Sequence, residues 1–167
     1  MRDQRLPTRP GAHEGVILFH VGGQKFAIAA GSVNEIRSCD GMHDFSLSGV
    51  SEQVEKLRYT LERNGTTYFV VDAGRHFRLS PSTAGRVLIL RNSAAAVLVD
   101  STDRMVDIYA LHGLPRAFTG EERVWYRGLT VIEDEVIPVV NAGAFLSKAE
   151  QEIVRRGFER LQGVGTL

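Results

Sequence analysis

The sequence predicts a mainly-β domain built twice from one pattern and followed by a C-terminal helix. Three observations carry this. First, Tyr68–Phe77 (YFVVDAGRHF) is echoed by Val136–Leu146 (VIPVVNAGAFL), and VVDAG at 70–74 matches VVNAG at 139–143 in four of five positions, 69 residues apart. Second, Ile17–Ile36 laid on Val87–Val106 pairs residues 70 apart: an apolar strand, a polar turn, a second apolar strand and a short polar run. A fixed period shared by two segments means that one structural unit is repeated. Third, the chain holds about nine short apolar runs separated by turn residues and a single clear helical pattern. The halves are expected to superpose, with Val71 and Val140 at equivalent sites.

The elements follow in order. Met1–Glu14 is rich in Arg, Pro and Gly and has no apolar stretch, so it reads as a flexible arm rather than a secretory signal. Gly15–Val21 and Gln24–Ala30 are strands joined by Gly22-Gly23, a tight hairpin turn. In Gly31–Arg37 the spacing of Ser32 and Glu35 predicts one helical turn with a capping box, Val33 and Ile36 sharing one side. Ser38–Gln53 reads as a loop carrying Met42, Phe45, Leu47 and Val50. Val54–Arg63 and Thr66–Asp72 form a hairpin around Asn64-Gly65, the strongest short turn signal present. A turn or short helix is expected over Ala73–Leu79, and Pro81 and Gly85 mark the crossing between halves, near 80–86.

In the second half, Arg86–Leu90 and Ala94–Val99 make a hairpin turned at Asn92-Ser93. Asp100 is placed to cap a helical turn over Ser101–Met105, before a short strand at Val106–Tyr109. Leu111–Glu122 holds Gly113, Pro115 and Gly120 and reads as a loop. Arg123–Ile132 and Glu135–Val140 form the last hairpin, where Pro138 argues for an edge or a bulge. Ser147 and Glu150 fit a capping box, and Ile153, Val154, Phe158 and Leu161 recur at helical spacing until Gly163 and Gly165. The expected organisation is an arm over 1–14, the repeated domain over 15–146 and a helix over 147–163.

Composition excludes several classes. The 167 residues carry 20 Lys plus Arg against 20 Asp plus Glu, so no global field favours nucleic acid or an acidic membrane. A domain of this length buries roughly 70% of its unfolded surface and folds without metal or disulfide. Cys39 is the single cysteine, which suits a reducing, cytoplasmic setting. No apolar run reaches membrane-spanning length. The histidines (His13, His20, His43, His76 and His112) stand in no metal-ligand spacing. Glu133-Asp134-Glu135 is a carboxylate cluster on a hairpin tip, where all three are expected to be ionised and wet. No nucleophile stands with a base, so no enzyme and no cofactor is expected. A small-ligand or nucleic-acid-binding β-barrel is the rival class, but Phe19, Phe26, Tyr59, Phe69 and Phe145 fall on apolar, core-like faces. Val33, Ile36, Met105 and Val106 are left with two readings: plugs at the barrel ends, or a groove for a partner helix.

These residues resemble a family. ILFHVGGQKFAIAAGSVNEIR looks like the opening of the CheW-like domain, with its Gly turn, aromatic-plus-Ile strand and V-x-E-I. AVLVDS at 96–101 is similar to the family's second-half strand, and YFVVDAGRHF and VIPVVNAGAFL resemble its two V-P-V-x-D-L strands. The resemblance runs from about Gly15 to Leu146. It implies two intertwined, five-stranded, SH3-like barrels related by a pseudo-two-fold, and a non-enzymatic coupling scaffold in a chemosensory array. The partners it implies are methyl-accepting chemoreceptors and the regulatory domain of a CheA-type histidine kinase, with no direct contact to nucleic acid or membrane and a cytoplasmic place at receptor clusters. It puts Val33, Glu35, Ile36 and Arg37 on one wall of a receptor groove and Val99, Asp100, Thr102 and Met105 on the other. Phe45, Leu47, Arg63, Asn64 and Gly65 would face the kinase. The sequence departs from the family where N-L-R-G is usual, having Glu62-Arg63-Asn64-Gly65; Ser38–Gln53 is longer, Ser-rich and free of proline; Thr102 replaces an apolar residue. A coupler that bridges receptors without docking the kinase is the alternative these departures imply.

Overall fold

A computed structural model describes residues 13–45, 50, 52–82 and 85–164, the last four without side-chain detail. The first half runs β1 (Glu14–Val21), β2 (Gln24–Ala29), a 3-10 turn at Ala30–Ser32, β3 (Val33–Ser38), β4 (Met42–Asp44), β5 (Leu57–Arg63), β6 (Thr66–Asp72) and α1 (Ala73–His76). The second runs β7 (Arg86–Leu90), β8 (Ala95–Val99), β9 (Ser101–Ile108), α2 (Glu122–Trp125), β10 (Tyr126–Ile132), β11 (Glu135–Val140) and a 3-10 turn at Ala142–Ala144, before α3 (Lys148–Val164). Strand β1 begins at Glu14, inside the stretch expected to be an arm.

Two sheets form, in the orders β10-β11-β2-β1-β9 and β3-β7-β8-β6-β5-β4. Each mixes the halves. The five-stranded barrel takes β1 and β2 from the first half, and the six-stranded barrel takes β7 and β8 from the second. The exchange is made by the third strands: β9 pairs antiparallel with β1, and β3 with β7. Registers repeat as the sequence does. Leu18 faces Ala27 as Leu88 faces Val97, and Thr60 faces Phe69 as Leu129 faces Pro138. Val71 and Val140 both lie in the central core between the barrels.

The VVDAG and VVNAG echoes have one physical cause. Each ends a strand on a residue whose side-chain oxygen accepts the first amides of the following turn. Asp72 Oδ1 accepts from Gly74 N at 2.9 Å and from Ser82 N at 2.9 Å; Asn141 Oδ1 accepts from Gly143 N at 3.2 Å. The α3 capping box also forms, Ser147 Oγ accepting from Glu150 N at 3.1 Å and Glu150 Oε1 from Ser147 N at 2.9 Å. Gly163 does not stop the helix, which runs to Val164.

Other expectations are corrected. Val33–Arg37 and Ser101–Met105 are strands, not helical turns, because each gains a ladder to the opposite half that local capping cannot match. The Ser38–Gln53 loop contains the short β4, which pairs with β5 as a sixth strand. Arg123–Trp125 belongs to α2, and the strand starts at Tyr126. Pro138 is neither at an edge nor at a bulge. Strand β11 lies between β10 and β2, but its parallel ladder to β2 is cut to the single pair Val139–Ala27. In the equivalent ladder, β6 to β8, Phe69 N donates to Ala94 O at 2.8 Å, the bond that a proline at the equivalent site 138 cannot make.

The echo hides one asymmetry. A Cβ on Gly74 would lie 1.9 Å from Ser80 O, whereas one on Gly143 would meet nothing nearer than 3.5 Å. Gly74→Ala is therefore expected to cost more than about 2 kcal/mol and Gly143→Ala less than about 0.5 kcal/mol, measured by urea denaturation. Equal costs would show that the loop after α1 gives way freely.

Candidate functional site

Both barrels are filled by side chains. Val16, Leu18, Ala27, Ile108, Ile132, Ile137 and Val139 fill the five-stranded one, and Leu61, Val70, Val87, Ile89, Ala96 and Leu98 fill the other. Between them lies an aromatic layer. The Phe77 ring stacks on Phe26 at 4.5 Å and on Tyr126 at 5.9 Å, with Trp125 and Phe145 against its edge. Burial, helped by the Glu122 carboxylate, pushes the Tyr126 phenol up to about 12. A partner's surface must therefore be sought on the outside.

The third strands offer one. Ile36 is 41% exposed on β3 and Met105 is 66% exposed on β9. Their relation differs from the sequence offset. Arg37 faces Val87 and Met105 faces Ile17, and Ile17 and Val87 are themselves equivalent, so the counterpart of Met105 is Arg37, neither Ile36 nor the Glu35 that the 70-residue offset gives. The pairing slips by two residues because three residues, Ala30–Ser32, join β2 to β3 whereas Asp100 alone joins β8 to β9; the bulge that each third strand carries leaves the slip unchanged. Beside Ile36, Glu35 forms an ion pair with Arg63 of β5. The pair joins β3, at one end of the six-stranded sheet, to β5, next to the other end, and so brings a residue expected in the receptor groove against one expected to face the kinase.

Three expected surface residues are core. Val33 and Val99 are buried in the central cluster and present no side chain to a partner, and Phe45 is buried edge-on against Phe69 at 5.8 Å. Asp100 is not a helix cap. It clasps the first hairpin, its Oδ2 accepting from Gly22 N at 2.8 Å while its own N–H donates to His20 O at 3.0 Å. Thr102 is half-buried opposite Phe19. Asn64 and Gly65 form an exposed turn with φ of 51° and 77°, the left-handed geometry of a tight hairpin. Leu47 lies outside the described residues. Four exposed apolar residues were not singled out from the sequence: Tyr109, Val124, Val131 and Val136. A period-two reading of β10 and β11 holds the signal for the last two, but buried Thr130 obscures it, its hydroxyl donating to Ala110 O at 2.9 Å.

The sequence matches the model of the CheW-like domain over residues 15–150. The chain belongs to the CheW-like family. A solved structure that shares this CheW-like fold is the scaffolding protein TtCheW from Thermoanaerobacter tengcongensis. The match has 15% identity and a TM-score of 0.63, covering 81% of this chain and 89% of that one. No curated protein matches this CheW-like chain.

A second group of polar side chains lines a cavity of about 590 Å³ bounded by Lys56, Arg75, His76, Arg78, Glu121 and Glu150. Lys56 Nζ donates to His76 Nδ1 at 3.1 Å and lies 3.0 Å from Glu150 Oε1. An ammonium can only donate, so Nδ1 is the acceptor and the ring proton sits on Nε2. Among the described residues no three His, Cys, Asp or Glu converge as metal ligands. No described helix is long and apolar enough to cross a membrane.

Burial, and then the Lys56 charge, hold His76 down from 6.5 to about 3. The folded state thus binds fewer protons than the unfolded chain between those values, so stability falls as pH drops below 6.5 and levels only near 3. The slope contributed by this ring approaches about 1.4 kcal/mol per pH unit. Denaturation of wild type and His76→Gln at pH 7 and pH 5 should show a larger acid loss in wild type. Parallel losses would mean that the ring is protonated in the fold.

Proposed function

We propose that this CheW-like protein is a coupling scaffold of a chemosensory array. CheW-like proteins are, as a family, scaffolds rather than enzymes, and this chain is read as non-enzymatic, cytoplasmic and recruited to receptor clusters. It binds the helical signalling tips of methyl-accepting chemoreceptors, with Ile36 and Met105 as apolar anchors and Glu35, Arg37 and Thr102 beside them. The observation that carries this reading is that two exposed apolar residues stand on the third strands, which exchange between the halves. A helix presents anchors at i, i+3 and i+4 that suit such a surface. Val33, Val99 and Asp100 support the strands from behind.

The proposed kinase contact is weaker than the receptor contact. Phe45 is committed to the core and Arg63 to Glu35, leaving, among the described residues, the Asn64-Gly65 turn as the free part of that surface. A coupler that bridges receptors with little affinity for a CheA-type kinase fits this arrangement. The small-ligand barrel fits it less well, since both barrel interiors are filled.

Burying an aliphatic side chain is worth roughly 1.5–3 kcal/mol, and about 1.4 kcal/mol is a factor of ten in affinity. Ile36→Asp is therefore expected to weaken binding of a receptor-tip fragment at least about tenfold in calorimetric titration. Its circular dichroism should be unchanged, because Ile36 is already 41% exposed. Unchanged affinity in a folded variant would move the receptor surface elsewhere.

A further inference from the structure

The outer faces of the two long hairpins are equivalent by register, yet they are finished differently. On the six-stranded barrel, Phe69 of β6 meets the Phe158 ring of α3 edge-on at 5.6 Å, and Val154 of α3 is buried in the central core. Phe158 of α3 thus rests on that hairpin at Phe69. On the five-stranded barrel, the equivalent of Phe69 is Pro138, half-buried and paired with half-buried Leu129. Toward the tip, Val131 faces Val136, and these are 55% and 65% exposed. Their first-half counterparts are Glu62 and Thr67, a polar pair. The bare hairpin is therefore the more apolar of the two, the reverse of what solvation alone would select.

Charge completes the description. At the tip, Glu133 and Asp134 adopt φ of 50° and 66°, where the first hairpin uses Asn64-Gly65. Lys25 pairs with Glu135 at 3.1 Å, and Arg104 is shared between Glu133 at 2.8 Å and Asp103 at 3.4 Å. Asp134 has no described partner. Three carboxylates thus share two cations around one end of the apolar face, and Asp134 adds a fourth negative charge.

We infer that the outer face of the β10–β11 hairpin docks an amphipathic helix of a partner protein. The helix lays its apolar stripe on Leu129, Val131, Val136 and Pro138, and sets lysine or arginine against Glu133 and Asp134. Helix α3 on the equivalent face shows the kind of element such a hairpin accepts. The carboxylate excess selects the charge of the rim. None of these residues belongs to the Ile36–Met105 surface, so the inference stands or falls apart from the receptor reading.

The test uses the full chain with labelled valine methyls and two synthetic amphipathic helical peptides of the same leucine stripe, one flanked by lysine and one by glutamate. The lysine peptide is expected to shift the Val131 and Val136 methyls saturably, and the glutamate peptide to bind at least tenfold more weakly. Val131→Glu with Val136→Thr copies the first-half pair and should reduce lysine-peptide affinity at least tenfold with unchanged circular dichroism. Should that variant misfold, Val136→Thr alone should lower affinity about threefold. The inference is overturned if the shifts fall elsewhere, if the variants bind as wild type does, or if both peptides bind alike. It is also overturned if the face closes against a second copy, seen as concentration-dependent dimerisation of wild type that the variant abolishes.

Discussion

The exchange of third strands is the constraint on which the rest of this structure depends. Strand β3 leaves the five-stranded sheet to pair with β7, and β9 leaves the six-stranded sheet to pair with β1. Neither half can complete a barrel with its own strands. The chain crosses at two equivalent points, and each is fastened. At the first, Arg91 donates from N to Ser32 O at 2.9 Å and from Nε to Gly31 O at 3.1 Å. At the second, Asp100 holds the Gly22 turn, and Gly85 passes so near the chain that a Cβ would lie 2.3 Å from Asp100 O. The shared core between the barrels follows from the exchange, since Phe19, Phe26, Val33, Val71, Val97 and Val140 come from both halves. Burial of such residues is the dominant favourable term in folding.

The sequence displays those parts of this architecture that local chemistry determines. The VVDAG and VVNAG echo is legible because an Asx side chain capping a turn leaves the same mark wherever a strand ends that way. The α3 capping box and the Asn64-Gly65 hairpin are legible for the same reason. The parts that long-range pairing determines were not. Ser32 with Glu35, and Asp100 before Ser101, satisfy a helix-start pattern, but the chain makes strands there because distant partners, β7 for β3 and β1 for β9, complete a ladder. The connection before β9 is two residues shorter than the one before β3, so Met105 answers Arg37. Propensity is a weak prior when a ladder is at stake.

The candidate surface was read in part for similar reasons. Ile36 and Met105 are exposed as a partner-facing role needs, while Val33 and Val99 alternate into the core. Glu35 and Arg63 were assigned to different surfaces, and barrel closure brings them together. Such a pair, with both side chains partly wet, adds modestly to stability and more to the placing of Ile36 beside it. The duplicated plan also explains where the halves diverge: α3 finishes one hairpin face, and the other carries Val131 and Val136 uncovered. A repeat thus gives two equivalent platforms that later elements and charges make unlike.

The claim that each barrel is completed by the opposite half is tested most directly by splitting the chain between Ser82 and Gly85 and producing the two fragments separately. Each fragment alone should give the poorly dispersed amide spectrum of an unfolded chain, and mixing them should restore the native spectrum in a one-to-one complex. A fragment that folds alone, with the dispersion and cooperative melting of a closed barrel, would contradict the account.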